Sequence, residues 1–105
     1  MIKINILNDE KFISSIEIIG HANYDVKGKD IVCSSVSSIA ITTINGILSI
    51  NNSYLKYISK DDLLKIEVLV KDEIVNKLML NMINLLKELE QDYPKNIKIK
   101  EGENT

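Results

Sequence analysis

The chain has no arginine: all thirteen basic residues are lysine, set against fifteen acidic ones for a formal net charge of −2. Nucleic-acid binders usually show a basic stripe, often with arginines that pair bidentately with guanine or phosphate. Neither feature shows in the sequence, which argues against direct nucleic-acid binding. The chain also lacks a second cysteine, so Cys33 cannot form an internal disulfide. Its apolar runs break within a few residues, short of the roughly 18 needed to span a bilayer, so no membrane partner is expected. Met1-Ile2-Lys3-Ile4-Asn5 alternates from the first residue with no small-residue cleavage site after it. With no export signal and no disulfide, a cytoplasmic location is expected. Repeats, low-complexity tracts and interdomain linkers are missing too. What remains is 105 residues, 45% apolar and 27% charged, the profile of one soluble domain with one core.

Alternation and helical spacing divide that domain. Ile2, Ile4 and Ile6 alternate with Lys3 and Asn5, and Phe12 to Ile19 resumes after the turn-forming Asn8-Asp9-Glu10. Residues 2–19 are therefore predicted to form a β-hairpin. Residues 21–29 lack apolar periodicity and read as a loop. Asp30 looks like the N-cap of a helix whose Val32, Val36, Ile39, Thr43 and Ile47 share one face. That helix is rich in β-branched residues of modest helix preference, so packing must hold it. Gly46 is a weak point near its end, and Asn51-Asn52-Ser53 closes it. Short strands are predicted over residues 54–58 and 64–70. A second helix, with Val75, Leu78, Met79, Met82, Leu85, Leu86 and Leu89 as its core stripe, runs to about Asp92. A last strand covers residues 97–100, leaving 1–100 as the domain and 101–105 as a disordered tail. The order ββαββαβ predicts an α+β two-layer sandwich with a mostly antiparallel sheet.

Candidate chemistry rests on the single histidine and the single cysteine, His21 and Cys33, which stand at either end of the loop. Each alone has a bland explanation: a lone cysteine is usually a small buried hydrophobe, and a loop histidine is usually solvated. Placement changes that. With Asp30 as N-cap, Cys33 falls in the first helical turn, beside unpaired N–H groups and the positive end of the helix dipole. An exposed terminal charge interaction is worth only about 0.3–1 kcal/mol. Bringing an ordinary thiol from near 8.5 to about 6.5 takes about 2.7 kcal/mol. The helix alone is not enough, and an imidazolium at His21 is the obvious second positive group. Asp30 works against a thiolate unless its carboxylate is committed to capping or to orienting His21. Asp30 and Asp25 both qualify by type as that orienting group.

Together, Gly20-His21-Ala22 and Asp30-Ile31-Val32-Cys33-Ser34-Ser35-Val36-Ser37 resemble the signature of the ribosomal-processing cysteine protease (Prp) family. Gly28-Lys29-Asp30 matches the approach to the second motif, and Asp92-Tyr93-Pro94-Lys95-Asn96-Ile97 matches the family's ending. The resemblance implies a cysteine endopeptidase that removes the N-terminal extension of ribosomal protein L twenty-seven precursor and associates as a homodimer; no cofactor is expected. It places His21 and Cys33 in the catalytic positions, with Asp30 and Ser37 at other positions lining the site. Ser34-Ser35 departs from the family's usual alanine-containing pair, which is expected to alter substrate fit more than chemistry. The implied mechanism has a Cys33 thiolate attacking the scissile carbonyl, with backbone N–H groups of Cys33 and Ser34 as oxyanion donors. The segment from Ala22 to Lys29 is a candidate lid.

Three other readings compete. A non-enzymatic, ribosome-associated protein-binding module would carry Cys33 as a buried structural residue. Structural zinc normally takes four His or Cys ligands, and the chain has two such residues, so no metal is expected. A thiol transferase or redox sensor would want a resolving cysteine, which is absent.

Overall fold

The structure, a computed structural model, describes residues 1–26 and 29–103. Seven elements follow in the order β1 (Ile2–Asp9), β2 (Phe12–Ile19), α1 (Ile31–Ile50), β3 (Leu55–Lys60), β4 (Leu63–Val68), α2 (Glu73–Asp92) and β5 (Ile97–Glu103). One five-stranded sheet runs β3-β4-β2-β1-β5. Its neighbours are antiparallel except β1 and β5, which pair in parallel from Ile2 opposite Ile97 to Asn8 opposite Glu103. The ββαββαβ order and the mostly antiparallel α+β sandwich expected from the sequence are both observed.

Two tight turns set the registers. Asp9 faces Phe12 and Lys60 faces Leu63, so each hairpin closes through two residues. Glu10 and Asp61 take the positive φ values, 59° and 50°, that such turns use. The first hairpin slips once, at a bulge between Leu7 and Asn8. That bulge moves the buried set of β2 from Ile18 and Ile16 to Ile13, keeping Ile2, Ile4 and Ile6 on the same face.

Both helices lie over that face. The buried side of α1 is Val32, Val36, Ala40, Ile44 and Ile47, and that of α2 is Val75, Met79, Met82, Ile83 and Leu86. These join the sheet isoleucines, Leu55, Ile66 and Ile97 in one cluster. The opposite face stays open to solvent, with Lys3, Lys98 and Lys100 exposed. Sequence spacing misplaced part of the α1 stripe: Ile39 and Thr43 are only half-buried, while Ala40 and Ile44 are fully covered. A residue as small as alanine carries little hydrophobic signal, yet it lets the helix approach the layer beneath.

Two further expectations are corrected. Residues 101–103 are not a tail but the end of β5, held by the parallel ladder to β1; Asn104 and Thr105 lie outside the described residues. As expected, α1 closes at Asn51, whose N–H bonds to the Ile47 carbonyl, and the helix is continuous through Gly46. By length and composition alone α1 is also apolar enough to cross a membrane. Counting unbroken apolar runs missed this, because serine and threonine interrupt the runs without adding charge. Its buried face instead packs in the core of the domain.

Leu86 is fully enclosed where α2 meets the sheet. Leu86→Ala is expected to cost about 2–5 kcal/mol through lost burial and the cavity left behind, read as a lower urea midpoint with an unchanged m-value.

Candidate active site

The site begins at the start of α1. Asp30 is extended (φ −79°, ψ 101°), and its Oδ1 accepts the N–H groups of Val32 and Cys33, each at 3.0 Å. Its Oδ2 accepts the N–H of Tyr24 at 3.0 Å and of Asp25 at 3.4 Å. One carboxylate thus ties the helix to the loop that follows His21. Partial burial, the largest single influence, pushes the Asp30 carboxyl up. The N–H groups of Cys33, Tyr24, Asp25 and Val32 together outweigh it and leave the group below the ordinary aspartate value.

This arrangement settles which role Asp30 plays. Both oxygens serve backbone donors, so it caps and tethers and does not orient His21. Asp25 spends its Oδ1 on the N–H of Val26, at 2.7 Å. The same bonds correct the expected oxyanion donors. The Cys33 N–H goes to Asp30 Oδ1, and the Ser34 N–H goes to the Asp30 carbonyl at 3.1 Å as the first full helical bond. A capped helix start has no spare N–H at those two positions.

Cys33 is half-buried, with its Sγ accepting the N–H of Ala22 at 3.2 Å. Ala22 is 1% exposed, so water cannot easily replace that bond. A hydrogen bond of this kind strengthens when the acceptor is ionised. The arrangement differs from that of an inert core thiol.

Gly20, which ends β2, has φ +93°, and a Cβ there would stand 2.7 Å from the Met1 carbonyl oxygen. Only glycine fits that turn and that approach. The Gly20 N–H bonds to the Asp62 carbonyl at 2.9 Å. On the next residue, His21 Nε2 lies 2.6 Å from Asp62 Oδ1. The other side of the loop is held from the C-terminal segment. Asn96 Nδ2 donates to the Ala22 carbonyl at 2.8 Å, and the rings of Tyr93 and Tyr24 meet edge to face at 5.4 Å. Sequence reasoning missed Asp62 altogether and noted Asn96 only as part of a matching ending.

Two open clefts, of about 570 and 380 Å³, meet at this point. His21, Cys33 and Ser37 are the three residues that line both. The first is also walled by Asp25, Lys29 and Asp30 together with the apolar Ile31. The second is walled largely by aliphatic side chains, including Ile18, Ile41 and Leu64. Within the segment expected to act as a lid, Ala22, Tyr24 and Asp25 are tethered at their backbones, and Lys27 lies outside the described residues. Gly28, assigned to the approach before Asp30, lies outside the described residues. Among the described residues no group of three or more His, Cys, Asp and Glu side chains is placed to hold a metal ion.

The sequence model of the family described as "Cysteine protease Prp" matches residues 1–98. The chain belongs to this family. As a Prp-family member it is a cysteine protease, which removes the non-enzymatic binding module from consideration. The fold is shared with S. aureus ribosomal processing protease Prp in complex with a covalently linked product peptide. That pair has a TM-score of 0.91 and 24% identity, covering 97% of this chain and all of the other. The S. aureus Prp structure with a substrate peptide gives a TM-score of 0.85 at 23% identity, over 97% of this chain and all of that one. A Streptococcus mutans protein gives 0.83 at 24% identity, over 99% of this chain and 96% of that one. No curated protein matches the chain significantly.

Asp30 provides a test with a defined sign. A carboxyl held below its unfolded-state value stabilises the fold above the ordinary aspartate range, and that contribution disappears as pH falls through the native value. Asp30→Ser keeps one cap acceptor but loses the bonds to Tyr24 and Asp25. It is expected to lower the urea midpoint near neutral pH, with the difference from wild type shrinking towards zero in acid. A pH-independent difference would contradict this account.

Proposed function

We propose that this Prp-family protease is an endopeptidase that removes the N-terminal extension of ribosomal protein L twenty-seven precursor, using Cys33 as nucleophile and His21 as proton carrier. The observation that carries the reading is the position of these two side chains, with Ser37, where the two clefts meet. An extended peptide running from one cleft into the other passes directly over the sulfur. The S. aureus Prp structures, one with a substrate peptide and one with a covalently linked product peptide, supply the precedent for a peptide in this fold.

In the proposed cycle the Cys33 thiolate attacks the scissile carbonyl carbon, and the carbonyl π electrons move onto oxygen. Since the N–H groups of Cys33 and Ser34 serve Asp30, the Ala22 N–H is the donor best placed for that oxygen. It already points at Sγ from 3.2 Å, and it can pass from sulfur to the developing oxyanion as the sulfur gives up its charge. Imidazolium His21 then donates its proton to the leaving amine. Next it draws a proton from the water that hydrolyses the thioester, restoring thiolate and imidazolium. Ser37 lies on the exposed side of α1 one turn beyond Cys33, where it meets the substrate backbone. The aliphatic cleft favours an apolar side chain next to the scissile bond.

The proposed substrate is a ribosomal protein, so the site of action is the cytoplasm. A homodimer is the assembly proposed. The exposed side of α1 bears Ser38, Ile41, Thr42, Asn45, Ser49 and Ile50 with no charged side chain in the helix. Such an uncharged face suits a second copy better than bulk water. Sedimentation of the purified protein at micromolar concentration is expected to give twice the chain mass, and a monomer would remove the dimer from the proposal.

The decisive experiment incubates the purified protein with the precursor from the same organism. Loss of the extension is expected with wild type and not with Cys33→Ala or His21→Ala. Iodoacetamide is expected to alkylate wild-type Cys33 below pH 7, and His21→Ala to suppress that reaction. Cleavage that survives Cys33→Ala would overturn the assignment of the nucleophile.

A further inference from the structure

We infer that Asp62, in the turn between β3 and β4, is the positioning residue for His21, holding the imidazole by Nε2 so that Nδ1 exchanges the proton with Cys33. The inference rests on the reading of His21 as proton carrier and adds the residue that orients it.

The contact is built by the sheet. Ile19 at the end of β2 pairs with Leu63 at the start of β4. The strand directions then bring the Asp61-Asp62 turn alongside Gly20 and His21. Asp61 takes φ 50°, which turns the chain so that Asp62 presents two groups to the same dipeptide. The Asp62 carbonyl takes the Gly20 N–H at 2.9 Å, and its carboxylate Oδ1 lies 2.6 Å from His21 Nε2. One residue therefore fixes both the backbone before His21 and the ring itself.

Fold stability does not account for this pair. The side chains are 58% and 56% exposed, and ion pairs so open to water add little to stability. The effect that survives exposure is geometric. Imidazole has two nitrogens, and a carboxylate accepting from one fixes the tautomer and leaves the other as the base. Of the two orienting candidates offered by the sequence, Asp30 is filled by four backbone donors and Asp25 accepts from Val26.

His21 is the chain's single histidine. Nitrogen-15 correlation spectra of the imidazole therefore report this ring alone, whether or not the sample is active. In wild type the neutral ring is expected to be mainly the Nε2–H tautomer, and Asp62→Ala is expected to shift it towards a mixture of the two. With a peptide spanning the precursor's extension as substrate, Asp62→Ala is expected to lower kcat by about 10- to 100-fold, the scale of a misplaced catalytic group. KM should change by less than about twofold, because the ring's orientation matters chiefly in the chemical step. Asp62→Asn, whose side-chain oxygen still accepts the Nε2–H, is expected to recover most of the loss.

An unchanged kcat in Asp62→Ala, or the same tautomer ratio in wild type and Asp62→Ala, would overturn the inference. If His21→Ala is inactive while Asp62→Ala is fully active, only the role of Asp62 falls. If His21→Ala keeps full activity, the reading of His21 falls first and takes this one with it.

Discussion

The Asp30 carboxylate is bonded to four backbone N–H groups, two in the first turn of α1 and two in the loop after His21. Remove it and the helix start and the loop become separate pieces, free to shift against each other. Cys33 belongs to the first piece and Ala22, whose N–H addresses the sulfur, to the second. The geometry around the thiol is therefore an outcome of the cap. The negative charge that seemed to oppose a thiolate at Cys33 is shared among those four donors, which reduces its effect on the sulfur.

The loop is held from three directions, one of them local and two from distant parts of the chain. Asp30 takes it from the helix side, Asp62 from the β3–β4 turn, and Asn96 with Tyr93 from the segment before β5. Such bracing suits a reaction in which an ångström of displacement is expensive. It also gives a physical role to two residues of the ending Asp92-Tyr93-Pro94-Lys95-Asn96-Ile97. Tyr93 and Asn96 are contacts of the loop after His21, although they sit some seventy residues from it in sequence.

The helix that carries Cys33 is an unusual support. It is β-branched, uncharged and apolar enough in composition to pass for a membrane span. Packing of Val32, Val36, Ala40, Ile44 and Ile47 against the rest of the core holds it in place. Rigidity at Cys33 is thus a product of core packing, since local helix preference is weak here. The exposed side of the same helix, with no charge to keep it in water, is where the proposed partner copy would lie.

The sequence by itself determined the strand alternation, the two helices, their order, the cap at Asp30 and the position of Cys33 in the first turn. All of these are set by neighbours within a few residues, through side-chain period and backbone capping, and they can be read locally. His21 and Cys33 were legible as a pair because each is the chain's single residue of its kind and the motifs around them are short. Tertiary structure alone decided that Asp62 meets His21, that Asn96 holds Ala22, and that Ala40 and Ile44 are in the core. It alone extended β5 to Glu103. Those contacts depend on which strands pair and in what register, and a register is settled by the whole sheet closing over its core, not by any one segment of the chain.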